Sequence, residues 1–418
     1  MRPGIPVFFY LLNSRNCDLP LFAMSLYTTI APITITCHKR LSPYLEQEVK
    51  ELGFAIEETF LTGVHSKGTV NDCIKLNLNL RCASQVLYSL KQFEAPDADA
   101  VYKNIVDYPW EQVIAEDGYF SVTSNVMNDT INNSMFANLR VKDAIVDRLR
   151  EKTGKRPSTG SELIGVVVHL FWKNDEAELF IDTSGDSLAR HGYRKIPGRA
   201  PMLEALAAAT IMATRWDRVS PFINPMCGSG TVAIEAALIA TNTRPGLFRL
   251  NYTFMHLIGY DAEVYHNEMD LLDKQIKDVP GLEIIATDYS NIAIENARKN
   301  AIAAGVTKLI KFSVCDFADT DVPKSSSGIM FMNPEYGERL GEETELETTY
   351  SLIGDFMKKK CGGYFGYIFT GNPNLAKKIG LKAKRRIEFY TSIIDCRLLE
   401  FELYDGSRRM VREPETEK

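Results

Sequence analysis

The sequence predicts an α/β fold organised around a doubly wound, mostly parallel sheet, and three observations carry that prediction. The apolar run Val219-Ser-Pro-Phe-Ile223 enters the glycine turn Asn224-Pro-Met-Cys-Gly-Ser-Gly-Thr231, and Val232 to Ala240 follows with a helical pattern. Two further β-branched runs, 282–288 and 310–316, each end in an acid and are separated by a helical pattern from Ile292 to Ala304. A fourth apolar run, 327–332, passes directly into Asn333-Pro-Glu-Tyr336. Strands alternating with helices are the signature of a parallel sheet built from crossover connections.

The glycine turn comes first in the chain. Gly228 and Gly230 have no side chain to block a ligand, so the strand end and helix start offer bare backbone amides to a nucleotide-like cofactor. A nicotinamide enzyme would use a similar turn, and a tight turn without a ligand is the plain alternative, so the neighbours must decide. Asp288, ending the second strand, is placed to accept from both hydroxyls of a ribose, and Asp316, ending the third, from an adenine amine. Either acid alone could be a helix N-cap. Two of them at successive strand ends, downstream of a glycine turn, favour the cofactor.

Ligands of open α/β sheets lie beyond the carboxyl ends of the strands, so Asn333–Tyr336 should project into the same crevice. The Asn333 side-chain carbonyl and the Pro334 backbone carbonyl can accept from an exocyclic amine, and Tyr336 can stack on its base. Such an amine is a poor nucleophile because its lone pair is delocalised into the ring. Acceptors that favour a pyramidal amine, aimed at a sulfonium methyl, meet that difficulty through orientation and electrostatics. An ordinary Asn-Pro turn is the alternative for the tetrapeptide alone. Taken together, the two turns point to methyl transfer onto a planar nitrogen.

These residues resemble the AdoMet-dependent amino-methyltransferases, in particular the bacterial THUMP-domain enzymes that methylate the guanine exocyclic amine (N2) of large-subunit rRNA. The similarity extends to 63–68, 80–87, 133–147, 182–188, Gly192-Tyr-Arg194, 200–209 and 395–399, and so covers nearly everything from about Met24 onward. It implies a Rossmann-like class I methyltransferase domain with a mostly parallel seven-stranded sheet, preceded by α+β ferredoxin-like and THUMP domains that grip structured RNA. It implies S-adenosyl-L-methionine (AdoMet) as cofactor, held by Asn224, Pro225, Cys227, Gly228, Gly230, Thr231, Asp288, Asp316 and Asn333. Asn333, Pro334 and Tyr336 would act on a base that is flipped out or already unpaired, in structured ribosomal RNA of the 23S kind. The larger members carry a second methyltransferase domain, and this chain is expected to be the single-domain form. Two positions depart from the family pattern: Asn224 stands where Asp is usual, and Glu335 where a second proline is usual. Glu335 reads as an outward-pointing replacement, with acceptance from guanine's donors as its functional alternative. The alternatives for the whole chain are methylation of adenine N6 or cytosine N4 in DNA, or a catalytically weakened RNA-binding ribosome-assembly factor.

Composition fits a multi-domain enzyme of 418 residues. A net charge of −6 argues against a protein that coats nucleic acid indiscriminately, but local patches set the field. Arg140, Lys142, Arg148, Arg150 and Lys152 form such a patch on an amphipathic helix, an RNA-binding candidate whose alternative is a solvated face. The cysteines show no Cys-x-x-Cys pair and no matching histidine spacing, so they read as free thiols of a reducing, cytoplasmic compartment with no metal site. No apolar run is long enough to span a bilayer. The expected organisation is a leader over 1–23 that is disordered or a mis-assigned start, a ferredoxin-like domain over 24–70, a THUMP domain over 71–186 and the methyltransferase domain over 187–418. Within it, 41–52 reads as an amphipathic helix, and 163–171 with 178–182 as a hairpin around Lys173–Glu176.

Overall fold

A computed structural model describes residues 26–128, 131, 133–198, 201–324, 327–337, 343–391 and 394–404. The expectations placed on 1–23, Met24, Ala200 and the C-terminal tail lie outside these residues.

The chain opens with β1 (Ala31–Cys37), α1 (Ser42–Glu51), β2 (Glu58–Phe60), β3 (Gly63–Gly68), α2 (Val70–Asn79) and β4 (Ala83–Glu94). The expected amphipathic helix is α1, which buries Leu45 and Val49. A capping box starts α2: the Thr69 hydroxyl accepts from the Asp72 amide at 3.2 Å, and the Asp72 carboxylate from the Thr69 amide at 2.7 Å. There follow α3 (Ala98–Val106), β5 (Tyr119–Met127), α4 (Ser134–Thr153), β6 (Ser158–Thr159), β7 (Val166–Lys173) and β8 (Glu176–Asp182). The expected hairpin is the antiparallel β7–β8 pair, turned through Asn174 at φ 52°.

All these strands join one eight-stranded sheet in the order β2-β3-β1-β4-β8-β7-β5-β6. The division expected at residue 70 falls between β3 and α2, yet β4 pairs with β1 on one side and β8 on the other. Backbone pairing therefore runs through the two N-terminal units without a break.

The second layer system comprises α5 (Glu204–Met212), β9 (Phe222–Pro225), α6 (Thr231–Ala240), α7 (Ala262–Lys274), β10 (Ile284–Asp288), α8 (Asn291–Ala303) and β11 (Ile310–Val314), then β12 (Ile329–Met332), α9 (Glu343–Lys360), β13 (Phe365–Thr370), α10 (Pro373–Lys378), β14 (Arg385–Thr391) and β15 (Ile394–Glu402). Its seven strands run β11-β10-β9-β12-β13-β15-β14, parallel through β13 and antiparallel thereafter. This is the class I methyltransferase arrangement. Strands β9 and β12 are buried along their whole length, as a parallel sheet covered on both faces requires. Their side chains alternate between two cores: Phe222 and Phe331 face the α6 and α8 side, while Ile223, Met330 and Met332 face α9.

The sequence order of the strands reverses between β9 and β12, which sets the ligand crevice there. The N-terminal layers are welded to this sheet. Tyr44 of α1 stacks on Phe389 of β14 at 5.7 Å, and Gly246 approaches α2 so closely that an added Cβ would lie 2.5 Å from the Leu78 carbonyl oxygen. Among the described residues, no helix is long and apolar enough to cross a membrane, and no cluster of His, Cys, Asp and Glu could hold a metal ion.

Candidate functional site

The crevice between β9 and β12 gathers most of the residues singled out above. Pro225 ends β9 in register with Thr287 of β10, and the Cys227 amide donates to the Thr287 carbonyl at 2.9 Å. The chain then turns through Met226 at φ 56°, Gly228 at φ 55° and Gly230 at φ 82°, three residues on the left-handed side of backbone space. Burial beside Asp288 raises the Cys227 thiol far above its ordinary range, so it is a neutral wall of the turn.

The two glycines have different reasons to be glycine. A Cβ on Gly230 would sit 2.9 Å from the Ala297 Cβ of α8, whereas one on Gly228 would meet nothing within 4 Å. Gly230 therefore serves the packing of α6 on α8, and only Gly228 opens space to a ligand. Gly230→Ala is expected to destabilise the fold by roughly 2–4 kcal/mol, from left-handed strain plus overpacking. Gly228→Ala should cost about 1 kcal/mol of stability and act instead on AdoMet affinity. Thermal melts with calorimetric titration of AdoMet separate the two, and equal melting losses would refute this division.

Asp288 is almost completely buried at the end of β10, and it organises the turn before any ligand arrives. One carboxylate oxygen accepts from the Gly228 amide at 2.9 Å and the other from the Ser290 amide at 2.9 Å. The cap of α8 is Ser290, whose hydroxyl accepts from the Ala293 amide, so Asp288 is not the N-cap. Each of its oxygens keeps a second lone pair for a hydroxyl. Asp316 does cap, accepting from the Ala318 amide at 2.8 Å, but its side chain is exposed at the mouth of the crevice. Between the two acids lies a feature that the sequence reading passed over: Tyr289 is 77% exposed and Val314, in register with Asp288, is 48% exposed. Tyr289 directly follows Asp288, and Val314 lies two residues before Asp316, so both adjoin the acids. The signal was a large aromatic directly after a strand-ending acid.

A strap runs over the glycine turn. Asn300 of α8 accepts from the Lys195 and Ile196 amides at 3.0 Å each, and donates to the carbonyls of Ile196 at 2.9 Å and Ser229 at 3.1 Å. Arg194 donates to the Thr231 hydroxyl at 2.9 Å and to the Met202 carbonyl, and lies 3.4 Å from the Glu204 carboxylate. Thr231 is thus engaged with the strap at the start of α6.

Asn224 is buried and its side-chain amide donates to the Phe331 carbonyl at 2.9 Å, joining β9 to β12 just beyond the last ladder pair. The aspartate usual in the family, when ionised, has no proton to donate there. The Asn224 Oδ1 and the Asn333 Oδ1 are both buried with no hydrogen-bond partner among the described residues. A buried acceptor left unpaired costs about 1–3 kcal/mol, a cost that a donor brought by a ligand would relieve at Asn333. Asn333 and Tyr336 line a cavity of about 150 Å³ with Pro201, Met202, Phe369 and Thr391. Pro334 is buried, whereas Glu335 is exposed, so its carboxylate lies on the solvent side of the turn. The Gly371 position leaves room for the Tyr336 ring, whose Cε2 would lie 3.2 Å from an added Cβ. Residues 338–340 of the motif lie outside the described ones.

The expected basic patch lies apart from this cavity, on α4 and the turn after it, and much of its charge is already matched. Arg148 makes two hydrogen bonds to Glu111, at 2.7 and 2.9 Å, and its guanidinium holds the Glu111 carboxyl below its ordinary range. Arg140 pairs with Asp99 at 2.5 Å and Lys152 with Glu151 at 2.9 Å. Lys142 is half-buried and Arg150 exposed.

Behind the glycine turn sits a buried polar joint between the layers. His191 Nδ1 and Glu235 of α6 are 2.7 Å apart, both fully buried, while His191 Nε2 lies 2.9 Å from the Arg81 carbonyl oxygen. The Arg81 guanidinium donates to the Leu238 carbonyl at 3.3 Å, and the Arg81 and Cys82 amides donate to the Glu48 carboxylate of α1 at 2.9–3.1 Å. Burial lowers the Arg81 pKa to about 10 and raises that of Glu48. Burial also opposes a charge on His191, but the Glu235 carboxylate outweighs it and the His191 pKa is raised.

Comparisons with known proteins agree with this fold. The family described as UPF0020, RMKL-like, methyltransferase domain, matches residues 191–400; a THUMP domain matches 95–182 and an RlmL ferredoxin-like domain 32–87. The ribosomal RNA large subunit methyltransferase K/L of Syntrophotalea carbinolica is 37% identical over 386 residues, covering 89% of this chain and 54% of that protein. The protein of the same name from Psychromonas ingrahamii is 34% identical over 370 residues, covering 87% and 49%. The chain spans about half the length of these curated relatives. Among solved structures, SMU.472, a methyltransferase candidate complexed with SAH, superposes with a TM-score of 0.82 at 26% identity, covering 90% of this chain and 99% of that one. A Listeria monocytogenes protein named as a predicted N6-adenine-specific DNA methylase gives 0.81 at 29% identity, covering 92% and 98%.

Proposed function

Because the chain belongs to the RMKL-like methyltransferase family, with THUMP and RlmL ferredoxin-like domains ahead of its catalytic sheet, we propose that it transfers a methyl group from AdoMet to the exocyclic N2 amine of a guanine in large-subunit rRNA. The observation that carries this reading is the unpaired, buried Oδ1 of Asn333 in a cavity it shares with Tyr336, at the switch point of the sheet. An acceptor in that place suits an amine held against a stacked base. The Pro334 carbonyl supplies the second acceptor and Tyr336 the stacking face. Gly228 admits the methionine part of AdoMet, Asp288 takes the ribose and Asp316 the adenine amine, with Tyr289 beneath the ring. AdoMet supplies the methyl group on a sulfonium, and no metal is required. Proton loss needs no strong base, since the methylated amine is acidic and water can take its proton.

The ferredoxin-like and THUMP units favour RNA over DNA as the partner. A second reading, methylation of adenine N6 in DNA, is favoured by the name of the Listeria protein and uses the same turn. The deciding experiment incubates the protein with tritiated AdoMet and rRNA from a strain lacking the gene, then identifies the labelled nucleoside. Label in N2-methylguanosine is expected. Label in methyladenosine, in methylcytidine or only in DNA would overturn the proposal.

Asp316→Ala should weaken AdoMet binding by about 1.5–3 kcal/mol, roughly ten- to a hundredfold, by removing a charge-assisted hydrogen bond. Unchanged affinity by calorimetry in a folded variant would leave Asp316 a cap and nothing more.

A further inference from the structure

Lys39 and Arg40 leave the end of β1 and reach across the seam to the last strand of the catalytic sheet. Lys39 Nζ sits 3.8 Å from the centroid of the Tyr390 ring, and Arg40 pairs with Glu388 at 2.7 Å. Glu388 and Tyr390 are two residues apart on β14, so they project from the same face of this edge strand. The next residue, Thr391, projects to the opposite face of the strand and lines the cavity of Asn333 and Tyr336, so only the edge of β14 separates the strip from the cavity. Across the ladder, Arg397 is in register with Glu388 and Asp395 with Tyr390. Arg397 lies 3.6 Å from Glu388 and also binds Asp395. Arg386, two residues before Glu388, is exposed.

Among the described residues, this strip therefore carries Lys39, Arg40, Arg386 and Arg397 against Glu388 and Asp395. It is a positive excess on a chain whose net charge is −6. Arg40 takes φ 73°, a left-handed conformation that is uncommon for a residue with a Cβ, and its amide donates to the Leu61 carbonyl at 3.3 Å. Lys39 is exposed and has no carboxylate within ion-pair distance among the described residues. Its ammonium rests on the ring and, after Arg397, helps to hold the Asp395 carboxyl below its ordinary range. On α4, by comparison, Arg148 is held by Glu111 through two hydrogen bonds.

We propose that Lys39, Arg40 and Tyr390 form the contact for the RNA backbone beside the target nucleotide, so that the ferredoxin-like unit itself completes the mouth of the base cavity. The proposal rests on the RNA methyltransferase reading above and names where the strand enters. Lys39 and Arg40 take the flanking phosphates, and Tyr390 offers its ring to a neighbouring base, a combination that binds single-stranded nucleic acid without reading sequence. The displaced base then turns around the edge of β14 to reach Thr391 and Asn333 on its other face.

The test measures binding of in-vitro-transcribed 23S rRNA by the full chain over a salt series, beside AdoMet calorimetry and methyl transfer. Lys39→Gln should weaken RNA binding several-fold near physiological salt and flatten the plot of log affinity against log salt by about one unit per lost phosphate contact. Lys39→Arg should bind like wild type, and both variants should keep wild-type melting and AdoMet affinity. Tyr390→Leu should weaken RNA binding without changing the salt slope, since a stacking face carries no charge. An unchanged slope and affinity for Lys39→Gln, with the wild type methylating rRNA, would overturn this inference alone. A wild type that methylates no rRNA would overturn the functional reading and this inference with it.

Discussion

Asn333→Ala is expected to lower the single-turnover methylation rate about a hundredfold or more while leaving AdoMet affinity nearly intact. The Asn333 Oδ1 is buried without a partner, so the turn already carries the cost of an unpaired acceptor. A hydrogen bond from the target amine relieves that cost, and most fully when the amine is pyramidal and its hydrogens point at the two carbonyls. The interaction is thus stronger in the transition state than in either ground state, which is the condition for raising the rate and not only the affinity. Backbone pairing of β12 with β9 and β13 holds the turn in place, so alanine should fold normally. Quenched-flow methylation at saturating AdoMet reads the effect. A fall in AdoMet affinity with an unaltered saturated rate would remove Asn333 from the chemistry.

Arg81→Ala should destabilise the protein by about 2–4 kcal/mol, because it leaves a cavity in a buried site, removes the donor to the Leu238 carbonyl and withdraws a positive charge from near Glu235 and Glu48. Arg81 is 4% exposed, and both Glu48 and Glu235 bear on its charge. A loss of that size is a large part of the usual 5–15 kcal/mol of a folded domain. Arg81→Lys keeps the charge but not the reach of the planar fork to the Leu238 carbonyl, and should fall between alanine and wild type. The joint ends on α6, whose first residue leaves the glycine turn, so weaker AdoMet binding should accompany the loss in melting temperature. A variant that melts like wild type would show the joint to be filler.

The catalytic sheet was legible because its strands are continuous apolar runs and its turns carry glycine, proline and acids, and each of those signals is local. The expected strand 282–288 is β10 from Ile284, and the expected helix 292–304 is α8 from Asn291 to Ala303. Asn224, Gly228, Asp288 and Asn333 converge as their positions at strand ends require. What stayed hidden depends on partners distant in sequence. Nothing local marks Gly230 as a packing glycine for Ala297 or Arg81 as a neighbour of Glu235, and neither pairing can be read from periodicity. The charge of α4 shows the same limit. A row of arginines and lysines is visible in sequence, whereas the Glu111 that occupies Arg148 lies 37 residues earlier. Lys39 and Arg40 gave the opposite difficulty, being two unremarkable cations until β14 is laid beside them.

The buried joint through Glu48, Arg81, His191 and Glu235 has a further consequence, because a buried polar network that ties the two sheets together resists a hinge between them. The eight-stranded sheet and the Asn333 turn are then the two jaws of a fixed caliper. On the proposed function, a folded RNA held at the first jaw would bring only those nucleotides to the second whose distance along its fold equals the gap. The local sequence around the target becomes secondary to the spacing between two features of the RNA, and shortening or lengthening the intervening stem should abolish modification while every base that touches the protein is preserved.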